Sequence, residues 1–227
     1  MITPVWRSLT IIGLLFFFLG FALGINTYLI PFLRGALDLS TAASYLVMAA
    51  SFSAYVFFGV PSGFIIQRSG YKGGIVLSFI IMAAGMVLFV PSARLTSFPL
   101  FLLALFVGGM GQTLLQASVN PYVVILGPRE SAARRISLMG IFNKLALALG
   151  PLVLSLFMNL QNIDIRDVVH PFFLISGILL GCAVFSYFAP LPEIEAPEEP
   201  EDAGQDNKLA KSSVFHFPYL FFGLAAI

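Results

Sequence analysis

The sequence predicts an all-α membrane protein, and three observations lead to that fold class. First, 59% of its 227 residues are hydrophobic and only 10% are charged, whereas a soluble domain carries about 25% charged residues. Second, the mean hydropathy is +0.95, so too few polar side chains exist to cover a water-facing globule. Third, apolar segments recur along the chain at lengths that suit a lipid bilayer.

Six apolar segments are long enough to cross a hydrocarbon core of roughly 30 Å, which takes about 20 helical residues. In chain order they are Ser8–Phe32, Ala42–Ile66, Gly74–Pro91, Phe98–Ile125, Ile136–Met158 and Pro171–Phe188. The first segment is too long for a signal-peptide core of about 7–15 residues, so we expect it to remain as a membrane helix. Together the six segments predict one membrane domain over residues 1–189.

Two shorter regions follow the membrane domain. Residues 190–213 are rich in Pro and Glu, a composition that cannot bury a core, and we expect an acidic cytoplasmic linker there. A seventh apolar run occupies residues 214–227 and is shorter than a membrane span. It predicts the truncated start of a seventh helix.

The distribution of basic residues predicts the orientation in the cell membrane. With a cytoplasmic N-terminus, eight Lys and Arg residues fall on the inner side and three fall on the outer side. The inner residues are Arg7, Arg68, Lys72, Arg129, Arg134, Arg135, Lys208 and Lys211, and the outer residues are Arg34, Arg94 and Arg166. This excess matches the positive-inside rule. The net charge of +1 provides no basic surface for nucleic acid.

Small residues on the first segment predict close helix packing. Gly13, Gly20 and Gly24 lie at i, i+7 and i+11, which forms one stripe on a helix. Gly108 with Gly111, and Gly140 with Gly150, indicate the same on the fourth and fifth segments. In lipid such residues allow backbones to approach, because packing rather than water exclusion drives helix association.

Nothing in the sequence favours an enzyme. It contains no HExxH, no phosphate-binding glycine loop, no nucleophile elbow and no carboxylate pair within an apolar segment. The single cysteine, Cys182, offers neither an intrachain disulfide nor a metal cluster. We therefore predict no cofactor and no metal.

The fourth segment carries an unusually polar stripe. Gln112, Gln116 and Asn120 lie at i, i+4 and i+8, which places all three along one helix face. Such amides either bond to neighbouring helices or line a wet cavity for a neutral solute rich in hydroxyl groups. The second interpretation is favoured, because an amide presents donors and an acceptor to a sugar.

Other polar residues lie within the first and fifth segments. Asn26 and Thr27 lie in the first, and Asn143 and Lys144 lie in the fifth. Lys144 follows Arg135 by nine residues, about 13 Å along a helix, and a mid-span cation costs roughly 2.5–3.5 kcal/mol on insertion. No Asp or Glu lies in any of the six segments. The partner of Lys144 is therefore the solute, a backbone carbonyl, or a group outside these segments.

The run from Gly63 to Lys72 resembles the Gly-x-x-x-Asp-Arg-x-Gly-Arg-Arg/Lys loop of major facilitator transporters. Gly63, Arg68, Gly70 and Lys72 match, whereas Gln67 replaces the acid and Tyr71 a basic residue. This resemblance implies the six-helix N-terminal half of a 12-helix major facilitator fold, which needs a C-terminal half to work.

A more specific resemblance covers roughly residues 15–160. The runs FALGINTYLIPFLRG and VNPYVVILGPRESAARRISLMGIFNKLA are similar to the family of fucose:proton symporters and glucose/galactose transporters. This resemblance implies secondary-active hexose transport by alternating access. It also implies that the sugar-facing residues are Asn26, Gln116, Asn120 and Asn143, with Gln112 on the same stripe as Gln116.

Two departures bear on coupling. The fucose symporters carry carboxylates where this chain has Thr27 and Gln116, and neither residue releases a proton. Symport with a proton or with sodium, facilitated diffusion, and a carrier group in a second half therefore all stay open, with Thr27 and Lys144 as candidate coupling or substrate contacts. The alternatives to sugar transport are a major facilitator transporter for another solute, such as a drug or metabolite, and a non-transporting membrane partner of a full-length carrier.

Overall fold

The computed structural model describes residues 9–21, 23–25, 41–125, 128–155 and 169–190. These residues form helices α1 (Leu9–Ile25), α2 (Thr41–Arg94), α3 (Phe98–Ile125), α4 (Ala132–Ser155) and α5 (Val169–Phe188). A short 3-10 turn over Arg129–Ser131 precedes α4. The predicted linker and seventh segment lie outside the described residues, as do Asn26 and Thr27.

Five described helices lie along the six predicted apolar segments, because the second and third segments both fall in helix α2. Residues Phe98–Ile125 agree at both ends with α3, and α4 begins four residues before its predicted segment at Ile136. Three of the described helices have stretches long and apolar enough to cross a membrane, namely Tyr45–Arg94, Phe98–Ile125 and Ala132–Val153. Two shorter apolar helices, Leu9–Ile25 and Phe172–Phe188, accompany them.

Helix α2 differs from the sequence prediction, which placed a loop between the second and third apolar segments. The chain stays helical through that region except at Gly70, which adopts φ 68° and ψ 173°. A left-handed φ is favourable only for glycine, since it lacks Cβ. One residue therefore makes the break that divides α2 into 41–69 and 71–94.

Glycine allows α1 and α4 to pack with their backbones in contact. A Cβ atom added at Gly20 would overlap the backbone oxygen of Asn143, and one at Gly24 would overlap that of Leu147. From the other side, a Cβ at Gly150 would lie 2.8 Å from the Phe21 carbonyl oxygen. The predicted packing role of the glycine stripe is thus confirmed for Gly20, Gly24 and Gly150. A Cβ at Gly140, by contrast, would meet nothing within 4 Å.

The second part of α2 forms the centre of the helical core. Helix α2 packs along both α3 and α5. In its second part, the Phe89 ring centroid lies 4.7 Å from that of Phe101 in α3 and 4.7 Å from that of Phe172 in α5. The Ser176 hydroxyl of α5 donates a hydrogen bond to the Ala83 carbonyl at 3.2 Å. These contacts bury one side of each helix, while α4 stays largely exposed along its length.

Candidate solute site

The amide stripe of α3 runs from the protein interior to its surface. Gln112 is only 3% exposed, Gln116 is half-buried, and Asn120 is exposed. The three residues share a helix face as predicted, but they meet different surroundings. Gln116 is the member that has both a protein partner and an open side.

A residue that the sequence analysis missed organises the buried end of this stripe. Tyr55, on the first part of α2, donates its hydroxyl hydrogen to Gln112 Oε1 at 3.3 Å. The same hydroxyl oxygen accepts a hydrogen bond from Gln116 Nε2 at 3.1 Å. Tyr55 is separated from Gln116 by 61 residues, so no local spacing in the sequence indicated this contact.

Asn143 joins α4 to α1 at the point of closest backbone approach. Its Nδ2 donates to the Phe16 carbonyl oxygen at 3.1 Å, four residues before Gly20. Its side chain is half-buried. The Phe16 bond uses one hydrogen of Nδ2 and leaves the second hydrogen and Oδ1 for another ligand.

Lys144, the next residue, is exposed on α4. Its neighbours at i−4 and i+4 on the helix are the small residues Gly140 and Ala148. No described residue of helices α1 to α5 is Asp or Glu. Within the part of the chain that the structure describes, the helices thus supply no carboxylate to Lys144.

The Gly63–Lys72 motif covers the C-terminal end of the first part of α2 and the break at Gly70. Gly63 and Arg68 are exposed, Gly70 forms the break, and Lys72 is half-buried. Tyr71 differs, since it is only 7% exposed and packs on Tyr122 of α3. The aromatic residue at a position that is basic in the resembling loop therefore belongs to the core.

Arg135 is a second residue whose role the sequence analysis missed, since it was counted only as a cytoplasmic charge. It is 7% exposed, and its guanidinium donates to the carbonyls of Val123, Val124 and Pro128 at 3.0–3.1 Å and to the Ser131 hydroxyl. The last carbonyls of a helix lack intrahelical partners and carry partial negative charge. Arg135 therefore satisfies the end of α3 from the start of α4.

Comparison with known sequences places this helical arrangement among transporters. The sequence pattern of the Major Facilitator Superfamily matches residues 12–227. A glucose/galactose transporter of Brucella abortus is 35% identical over 226 residues, covering 97% of this chain and 54% of that protein. A putative glucose/galactose transporter of Helicobacter pylori is 34% identical and is covered over 53% of its length. The chain thus spans about half the length of these relatives.

The fucose symporters are similar over a shorter stretch. The L-fucose-proton symporter of Escherichia coli is 30% identical over 161 residues, which cover 69% of this chain and 37% of that protein. In three dimensions the chain matches a crystal structure of the major facilitator transporter FucP in the outward conformation, with a TM-score of 0.76. That match covers 95% of this chain and 56% of FucP at 23% identity, so it shows the shared fold.

Proposed function

The chain belongs to the Major Facilitator Superfamily, a family of transporters rather than enzymes, and we propose that it transports a hexose as half of an alternating-access carrier. The observation that carries this proposal is the bonded group of Tyr55, Gln112 and Gln116 between α2 and α3. These three side chains are neutral, and amide and hydroxyl groups suit the hydroxyl groups of a sugar. The glucose/galactose transporters among its relatives support the same solute class.

The proposed architecture treats the two parts of α2 as separate membrane spans. Fifty residues from Tyr45 to Arg94 at 1.5 Å per residue would extend about 75 Å, far more than the roughly 30 Å of a bilayer core. The break at Gly70 therefore returns the chain, and with α1, α3, α4 and α5 it makes a six-span N-terminal half. A second six-span half completes the central cavity and rocks against the first.

Within this half, we assign the solute contacts to residues that combine polarity with an open side. Gln116, Asn120 and Asn143 contact the sugar directly, together with Asn26. Gln112 is buried and acts through Tyr55. Gly63, Arg68, Gly70 and Lys72 form the conformational loop on the cytoplasmic side, where the N-terminus and the acidic linker also lie.

Coupling is the point at which this chain departs from a fucose symporter. Gln116 and Thr27 carry no titratable proton, so these positions do not serve as proton carriers. We propose that the driving ion, a proton or sodium, is bound by a group of the second half, and that Lys144 contributes by contacting the solute. A carrier without any ion coupling would show uptake that only equilibrates the sugar across the membrane.

The decisive experiment is uptake of radiolabelled glucose, galactose and fucose in cells that lack their own sugar carriers. The 227-residue chain is compared with a form extended through a complete second half. Uptake by the extended form, with a KM that Gln116→Ala raises, supports the proposal and identifies the sugar. Tyr45→Phe, an exposed position on α2, serves as a control that keeps uptake. Absence of sugar uptake by either form would contradict the proposal.

One observation favours a second candidate function, transport of an anionic metabolite. Lys144 is an exposed cation in the middle of α4, and a cation at membrane depth attracts a negative solute strongly because the surrounding dielectric is low. Competition of hexose uptake by sugar acids distinguishes the two functions. An acid that competes better than its parent sugar, and loses this advantage in Lys144→Gln, would make the anion the preferred solute.

A further inference from the structure

The hydrogen-bonded chain between α2 and α3 has a direction, and that direction decides what Gln116 offers to a solute. A tyrosine hydroxyl has one hydrogen to donate. In the structure, that hydrogen goes to Gln112 Oε1 at 3.3 Å. The hydroxyl oxygen is then restricted to accepting, and the group it accepts from is Gln116 Nε2 at 3.1 Å.

The consequence appears at the far end of the Gln116 amide. With Nε2 held by Tyr55, the carbonyl oxygen Oε1 lies on the opposite edge of the amide plane. Gln116 is half-buried, whereas Gln112 is almost fully buried, so the open side of the chain is at Gln116. Nε2 keeps a second hydrogen that can bond elsewhere. Oε1 accepts no hydrogen bond from the described residues, so a hydrogen-bond donor of the solute is the group that satisfies it.

We infer that Tyr55 is a positioning residue that makes the sugar site select for a donating hydroxyl group. This inference rests on the proposed sugar transport, and it adds which chemical groups of the sugar can bind at Gln116. A hydroxyl group satisfies Gln116 Oε1, whereas a fluorine, an ether oxygen or a carboxylate, which only accept, leaves it unpaired. An unpaired acceptor in a partly buried site lowers affinity, because its desolvation is not compensated.

The arrangement also explains why a glutamine at 116 is consistent with neutral solutes. A carboxylate at this position would have no hydrogen to give Tyr55, and the tyrosine would have to turn its hydrogen away from Gln112. Gln112, which is 3% exposed, would then have to rotate its amide so that Nε2 donates to the tyrosine oxygen, and the hydrogen-bonded chain would reverse its direction. Gln112, Tyr55 and Gln116 are thus consistent with one another as a set.

The test uses whichever form of the protein transports hexose. It measures discrimination, the ratio between the concentrations of modified and unmodified sugar that compete equally with the labelled sugar, and this ratio is independent of the expression level. Deoxy and deoxyfluoro analogues of the transported sugar, modified one ring position at a time, compete with the labelled sugar. At the hydroxyl that donates to Gln116, both replacements are expected to weaken competition about two- to tenfold, the worth of one hydrogen bond. At other positions fluorine is expected to be tolerated better than hydrogen.

Tyr55→Phe removes the hydroxyl and keeps the ring. The amide of Gln116 is then free to rotate, so the discrimination against both analogues at that one position is expected to fall toward onefold. Tyr45→Phe makes the same chemical change at an exposed site on the same helix and is expected to keep the full discrimination. A Tyr55 variant that merely destabilised the protein would lower the maximal rate without changing this ratio.

Two further variants keep the inference open to disproof if Tyr55→Phe does not reach the membrane. Gln112→Leu removes the acceptor that fixes the hydroxyl hydrogen, and it is expected to reduce the same discrimination from a site nearly closed to the solute. In a Gln116→Ala background, Tyr55→Phe is expected to have no additional effect on the KM.

Three results would overturn the inference. Unchanged discrimination in both Tyr55→Phe and Gln112→Leu shows that the chain does not orient Gln116, while sugar transport itself stands. Additive KM effects of Tyr55→Phe and Gln116→Ala lead to the same conclusion. Absence of hexose uptake by every form of the wild-type protein overturns the proposed function and this inference together.

Discussion

Tyr71 and Tyr122 pack against each other with ring centroids 6.1 Å apart and planes inclined at 52°. Each belongs to a run that carries the family resemblance, Tyr71 to the Gly63–Lys72 motif and Tyr122 to the Asn-Pro-Tyr run at the end of α3. Both side chains are buried. The contact therefore ties the residue directly after the Gly70 break to the C-terminal end of α3.

Removal of the Tyr71 ring is expected to destabilise the helical half. Tyr71→Ala deletes a buried aromatic side chain, and such deletions cost about 3–5 kcal/mol in soluble proteins. Tyr71→Phe keeps the ring contact with Tyr122 and is expected to retain most of the stability. Thermal unfolding in detergent measures both, with Tyr187→Ala, an exposed position on α5, as the control. Equal melting temperatures for Tyr71→Ala and the control would contradict the packing role.

A methyl group at Gly20 is expected to separate α1 from α4. Gly20→Ala places a Cβ against the backbone oxygen of Asn143, and overpacking typically costs about 1–3 kcal/mol. Gly140→Ala makes the same change on α4 where a Cβ would meet nothing within 4 Å. We expect Gly20→Ala to lower the melting temperature and Gly140→Ala to leave it unchanged or raise it. The reverse order would show that the two helices do not approach as described.

Arg135 is expected to contribute stability that lysine cannot replace. Arg135→Lys loses the planar donor set that reaches the carbonyls of Val123, Val124 and Pro128 together. Hydrogen bonds that involve a charged group are worth about 1.5–3 kcal/mol, so a loss on that order is expected in denaturation experiments. Arg134→Lys, the exposed neighbour, is the matched control. A similar effect of both substitutions would indicate a role of charge alone.

Lys144 is expected to affect transport and not folding. Its side chain is exposed and contributes little to packing within the described helices, so Lys144→Gln is expected to leave the melting temperature unchanged. If Lys144 contacts the solute or its coupling ion, the same substitution lowers the uptake rate, whereas Lys144→Arg preserves the charge and retains most of it. Unchanged uptake in Lys144→Gln would remove this residue from the site.

The candidate site was predicted in part from spacing. The 3.6-residue period of a helix brings Gln112, Gln116 and Asn120 to one face wherever α3 begins or ends. Their shared face could therefore be predicted from the sequence. The difference in burial along it was not, because it depends on how α2 lies across α3. The same holds for Asn143, whose amide bonds to Phe16, 127 residues away.

What the sequence determined by itself is the membrane as solvent, the helical fold class and the approximate limits of the helices. These follow from composition and from runs of apolar residues, which act locally and need no partner. Only the tertiary structure decided that Tyr55 joins Gln112 to Gln116, that Tyr71 is buried on Tyr122, and that Arg135 caps α3. Each of these contacts joins separate elements, so the geometry that forms it exists only after the helices have packed.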